Sequence, residues 1–139
     1  MAVFFHNEDV VFSLQNKNSK KEWLKSAIHS FNYSLGNINV IFCSDDYLLN
    51  VNKQYLSHNY YTDIITFNYC TENTISGDLF ISIDRVEEYS KQNNIPFLQE
   101  INRVIVHGVL HLCGFNDKTP IEKKKMRQLE NKFLTLIKT

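Results

Sequence analysis

One segment constrains this chain more than any other. Pro96 to Gly114 reads PFLQEINRVIVHGVLHLCG, and after Arg103 it is apolar nearly all round apart from two histidines. A helix with no polar face belongs in the interior, so the pattern predicts a central buried helix with the remaining elements packed around it. His107 and His111 are four residues apart and therefore stand one turn apart on the same face. Imidazoles buried without partners are costly. Two ring nitrogens one turn apart suit a single tetrahedral metal with bonds of about 2.0–2.1 Å.

A third ligand has to come from outside that turn. Gly114 can end the helix in a left-handed conformation and send the chain back on itself. Phe115, Asn116 and Asp117 follow, and Asp117 is the nearest downstream carboxylate. The pattern is HxxxHxxGxxD, one divalent ion per chain, with zinc the natural occupant of such a set. Three protein ligands leave a fourth position open, as catalytic zinc sites do. The residue after His107 is Gly108, where HExxH proteases carry their glutamate base, which argues against ordinary peptide hydrolysis. Gly108 is expected to leave room beside the metal for a bulky ligand or another backbone.

The rest of the chain is punctuated by helix starts. Ser19 with Glu22 has the form of a capping box before Trp23, Leu24, Ala27, Ile28 and Phe31. Ser44, followed by Asp45 and Asp46, opens a second helix running toward Tyr55. Asp84 with Glu87 opens a third, ending near Asn93, and Thr119-Pro120 with Glu122 opens a last one carrying Met126, Leu129, Phe133 and Leu136. Strand candidates are Val3–Phe5, Val10–Leu14, Ile38–Cys43, Ile64–Tyr69 and Asp78–Ile83, the last two joined by a polar stretch containing Gly77. The expected fold is α+β, a single small mixed sheet packed with about five helices, in one domain spanning residues 1–139. Lysine and arginine number 15 and so do aspartate and glutamate, so net charge gives no general attraction to nucleic acid or membrane. Cys43, Cys70 and Cys113 are odd in number and widely spaced, which suits a reducing compartment. Met1 to Val11 is too short and too polar for a signal peptide, and no apolar run spans a bilayer. A cytoplasmic location without membrane partners is expected.

Three blocks of this sequence resemble the YbeY endoribonuclease family. HGVLHLCGFND at 107–117 is similar to the family's HGxLHLxGYDH signature; Thr62-Asp63-Ile64-Ile65-Thr66-Phe67 and Gly77-Asp78-Leu79-Phe80-Ile81-Ser82 match its two strand blocks in order and spacing. The resemblance implies an α+β fold and one zinc held by three residues. It also implies a single-strand-specific endoribonuclease acting in ribosomal RNA maturation and ribosome quality control, with single-stranded or ribosomal RNA and the ribosome or small-subunit factors as partners. Two of the implied ligands fall on His107 and His111. The third, a histidine in the family, falls on Asp117. A further departure is Leu56, which follows Tyr55 where the family usually has an arginine implicated in activity; Lys53 and Arg103 are candidates to replace its charge. Tyr61 stands where the family usually has a proline.

Other residues carry weaker signals. Tyr60, Tyr61 and Tyr69 have the chemistry to stack on RNA bases, and His58 to approach a phosphate, although packing and solvation are the ordinary roles of such residues. Lys123, Lys124 and Lys125 read as a solvated helix face, diluted by Glu122, Glu130 and Lys132. His6 and His29 read as structural, and Cys113 as core. No residue stands out as a general base. Two rival functions fit the same motif: a ribosome-associated binding module with a structural zinc, and a metallohydrolase with a non-RNA substrate.

Overall fold

The computed structural model describes residues 1–137. A four-stranded sheet in the order β1-β2-β4-β3 carries the chain, with five helices packed on it. β1 (Val3–Asn7), β2 (Ser34–Cys43) and β4 (Thr74–Ser82) run parallel, and β3 (Ile64–Asn68) pairs antiparallel with β4 at one edge. The sheet is thus mixed and the architecture α+β, as the sequence pattern implied. The helices are α1 (Lys17–Ser30), α2 (Asp45–Leu56), α3 (Ile83–Gln92), α4 (Phe97–Leu112) and α5 (Pro120–Leu134). Among the described residues no helix is long and apolar enough to cross a membrane, and the three cysteines are free thiols.

α4 is the axis of the core. Ile101, Val104, Ile105, Val106, Val109 and Leu110 are buried around its whole circumference. They pack with Leu79 and Ile81 of the sheet, Val86 of α3, and Met126, Leu129 and Phe133 of α5. Its seat against β4 depends on Gly77, which lies inside the strand and not in the connection before it. A Cβ at Gly77 would come within 2.5 Å of the Phe67 carbonyl oxygen and 2.8 Å of a Leu112 methyl. The polar connection between β3 and β4 is residues 69–73.

Several boundaries differ from the sequence reading. Val10–Leu14 forms no strand. The Asp9 carboxylate accepts the Ser44 backbone N–H at 2.8 Å, and the Asn7 amide donates to the Phe12 carbonyl at 2.7 Å. These side-chain bonds take the place of a ladder, and Phe12 packs edge-on against Phe42 and Phe97. α1 begins at Lys17 after Asn16, so Ser19 lies within its first turn and does not cap it. α3 is capped by Ser82, whose hydroxyl accepts from Arg85 N at 3.1 Å. Asp84 serves the neighbouring helix, its carboxylate accepting the Asp45 backbone N–H at 2.9 Å. Ser44 caps α2 as expected, and Thr119 and Glu122 form the full reciprocal capping box of α5. α5 ends at Leu134, which leaves Leu136 beyond it and exposed.

Candidate metal centre

The exit of α4 has the geometry that its glycine suggests. Gly114 adopts φ +98°, with open space where a Cβ would stand. The Phe115 N–H returns to the Leu110 carbonyl at 3.1 Å and the Gly114 N–H to that of His111 at 3.0 Å. This turn carries Asp117 back over the histidine face. His107 Nε2 and His111 Nε2 stand 3.0 Å apart, and Asp117 Oδ2 lies 3.3 Å from the first and 3.5 Å from the second. A tetrahedral ion with bonds of about 2.0–2.1 Å requires its ligand atoms to be about 3.3 Å apart. The three atoms therefore frame a site of zinc size, and they form a metal-capable cluster among the described residues.

Both rings are held from behind. His107 Nδ1–H donates to Glu130 Oε2 at 2.6 Å, which leaves the Nε2 lone pair aimed at the cluster. His111 also bonds the Phe115 backbone. Burial pushes the His111 ring below the usual imidazole range, and the neighbouring His107 adds to this against a partial offset from Asp117. A neutral ring is the form that can ligate a metal. Burial alone would raise the Glu130 carboxyl, but the His107 bond and the Arg103 charge prevail and hold it below the usual carboxylate value.

The cluster opens into a cleft of about 460 Å³ between the β3 edge, the end of α2 and the loop after it. Asp63, Thr66 and Asn68 offer polar groups along one side, and Asn52, Leu56, His58 and Tyr60 line the other. Asn52 is buried and donates to the Tyr60 carbonyl at 2.9 Å, tying the loop to α2. The Tyr60 and His58 rings stack with centroids 5.2 Å apart, and the Tyr60 hydroxyl lies 3.0 Å from His58 Nδ1. Among the described residues, no lysine or arginine lines this cleft.

The structure thus gathers His107, His111 and Asp117 and adds Leu56, His58 and Tyr60 to their cleft. Tyr61 sits outside it, under the Arg85 guanidinium at 5.0 Å with its hydroxyl donating to Asp46 at 3.3 Å. Tyr69 and the Lys123–Lys125 run are exposed and away from the lining. Arg103 cannot replace a cleft cation, because it does not line the cleft and is bound to Glu100 and Glu130. Lys53 is exposed and does not line the cleft. Gly108 does not open space beside the cluster either. It faces the sheet, where a Cβ would meet Ile64 at 2.8 Å and Leu79 at 3.0 Å, so its role is the close approach of α4 to β3 and β4. His6 bonds Asn39 at 2.9 Å, and the Cys113 thiol is buried with its pKa pushed up to about 12.

Glu130 is the site residue that sequence reasoning missed by assigning it to a solvated face. It is buried, on the same stripe as Met126, Leu129 and Phe133. A lone carboxylate on an otherwise apolar i, i+3, i+4, i+7 stripe was the available signal.

A metal-capable cluster of this kind, on a mixed sheet, fits the comparisons with known proteins. The chain matches the family model described as Endoribonuclease YbeY over residues 4–138. It is 47% identical over 138 residues to the Endoribonuclease YbeY of Bacteroides fragilis, covering 99% of each chain. It is 48% identical over 136 residues to that of Bacteroides thetaiotaomicron, covering 98% of this chain and 99% of the relative. The solution structure of TM1509 from Thermotoga maritima shares the fold, with TM-score 0.67 at 24% identity over 95% of this chain and 86% of that one. The protein is a nuclease of the metal-dependent hydrolase class. It belongs to the endoribonuclease YbeY family.

Proposed function

We propose that this chain, as a single domain over residues 1–139, is a cytoplasmic zinc-dependent endoribonuclease. It cuts single-stranded RNA and serves ribosomal RNA maturation and ribosome quality control, alongside the ribosome or small-subunit factors. One Zn²⁺ per chain is held by His107, His111 and Asp117. The observation that carries this reading is the triangle of ligand atoms with edges of 3.0, 3.3 and 3.5 Å at the floor of an open cleft. Bound there, zinc would supply Lewis acidity toward a phosphodiester oxygen.

The chain's own side chains account for the rest. Glu130 keeps a proton on His107 Nδ1, so the lone pair on Nε2 faces the cleft. Tyr60 presents an exposed ring on which an unpaired base can stack, an interaction worth about 1–3 kcal/mol per base. A base still paired within a duplex has no such face free, which supports single-strand preference. Thr66, Asn68 and Asp63 supply hydrogen-bonding groups to ribose and base edges. With Gly108 turned into the sheet, the position after His107 offers no carboxylate base, which counts against a peptidase.

The test is incubation of zinc-loaded protein with single-stranded and duplex RNA. Cleavage of the single strand should vanish with chelator and with His111→Ala. Cleavage that survives both would point to a contaminating nuclease. Leu56 lines a cleft that holds no lysine or arginine among the described residues, so Leu56→Arg should raise the rate about ten- to a hundredfold through a charge-assisted phosphate contact. No cleavage by either form when fully metallated would favour a binding module with structural zinc.

A further inference from the structure

Behind the histidine pair, where α4 packs on α5, lies a chain of buried charges. Glu100 and Glu130 are 1% and 2% exposed. Arg103 lies between them, donating through Nε to Glu100 Oε1 at 2.8 Å and through Nη2 to Glu100 Oε2, and through Nη1 to Glu130 Oε1 at 3.1 Å. The other Glu130 oxygen accepts from His107. Arg127 approaches Glu130 at 3.4 Å, but it is half exposed and its charge is screened by water.

Glu130 is shared between Arg103, the half-exposed Arg127 and His107, and so sets a carboxylate directly behind the His107 ring. Asp117, partly exposed, sets a second carboxylate in front of the rings. The rings between these carboxylates have their lone pairs turned to a common point. Carboxylates on both sides of two converging imidazoles favour a cation between them.

We propose that Glu130 is the positioning residue of this centre: it orients His107 and sets behind its ring a negative charge that favours a bound cation. The inference rests on the zinc reading above. Zinc bound to the folded cluster would then stabilise the fold.

The two readings fail separately in one set of measurements, with Zn²⁺ as the probe, chelator competition for affinity and thermal melting for stability. Wild type should bind about one zinc and lose it in His111→Ala. Glu130→Gln keeps the shape and an acceptor for His107 but removes the charge. Its zinc dissociation constant should rise about 10- to 100-fold, as loss of such an outer carboxylate typically produces. Its amide nitrogen meets the Arg103 Nη1 donor, so its metal-free melting temperature should fall somewhat, and the rise in melting temperature on adding zinc should shrink as well. Glu130→Asp, which keeps the charge but withdraws it by one methylene, should bind zinc with intermediate affinity. A merely structural Glu130 would give a lower metal-free melting temperature with unchanged affinity, and that result overturns the proposal. So does zinc binding within about twofold of wild type in both variants. Failure of wild type itself to bind zinc would overturn the metal centre and this inference together.

Discussion

Two arginines in this molecule grip a carboxylate in the same two-pronged way, and only their surroundings differ. Arg85 of α3 donates through Nε and Nη2 to the two oxygens of Asp45, each at 3.0 Å, and so ties the start of α3 to the start of α2. Arg103 of α4 donates through the same two nitrogens to Glu100. The Arg85 and Asp45 side chains are 34% and 22% exposed, whereas those of Arg103 and Glu100 are 13% and 1%. The outer pair competes with water for each partner and adds little net energy. The inner one lies largely out of water, so it matters more to stability when broken, and through Glu130 it reaches His107. Burial, not hydrogen-bond geometry, separates a fastening from a functional element.

The largest expected effect comes from breaking the inner network. Arg103→Met leaves Glu100 buried with no guanidinium and Glu130 with only the half-exposed Arg127, and should destabilise the protein by about 3–5 kcal/mol in urea denaturation. If Arg85→Met costs as much, the contrast drawn from burial is wrong. Replacing the whole inner set, as Glu100→Leu with Arg103→Met and Glu130→Leu, should recover most of that stability, because no charge is left unpaired. The triple variant should nevertheless bind zinc more weakly than wild type. Unimpaired zinc affinity would show that the network is only structural.

Acid provides a milder probe on metal-free protein. His111 protonates below its ordinary 6.5 in the folded state, while the unfolded chain takes up the proton at 6.5. Stability should therefore decline as pH falls through 6.5, and this contribution should level off below the lower folded value. Glu130 stays ionised below its ordinary 4.5, so its contribution is present above 4.5 and is lost as pH falls toward its folded value. Denaturation midpoints followed from pH 8 to well below 4.5 should show both declines, and a flat profile would contradict the two environments. The smallest effect belongs to the outer pair. A double-mutant cycle on Arg85 and Asp45 should return a coupling of about 0.2–1 kcal/mol, reduced by salt, and a coupling several times larger would mean that the pair is less hydrated than its exposure indicates.

What could be read from the chain alone was whatever local periodicity encodes. The apolar run of α4 set a buried helix, and the four-residue spacing put His107 and His111 on one face. Gly114 allowed the turn that returns Asp117 to that face, while Ser44, Thr119 and Glu122 marked helix starts by bonds reaching only three residues. Each of these depends on neighbours within a turn or two of backbone, so sequence spacing is nearly distance. The errors fall where partners are remote. Asp84 was assigned to its own helix but caps α2 across 39 residues, and Asp9 with Asn7 turned an apparent strand into a side-chain-anchored loop. Gly108 was referred to the histidine face, yet its neighbours are Ile64 and Leu79 of the sheet. Glu130 was assigned to a solvated face and Arg103 was a candidate for the missing cleft charge, until the packing of α4 on α5 placed Glu130 against His107 and turned Arg103 to the two glutamates. Burial decides what a charged side chain does, and burial is a property of how elements pack, which no spacing within a single element contains.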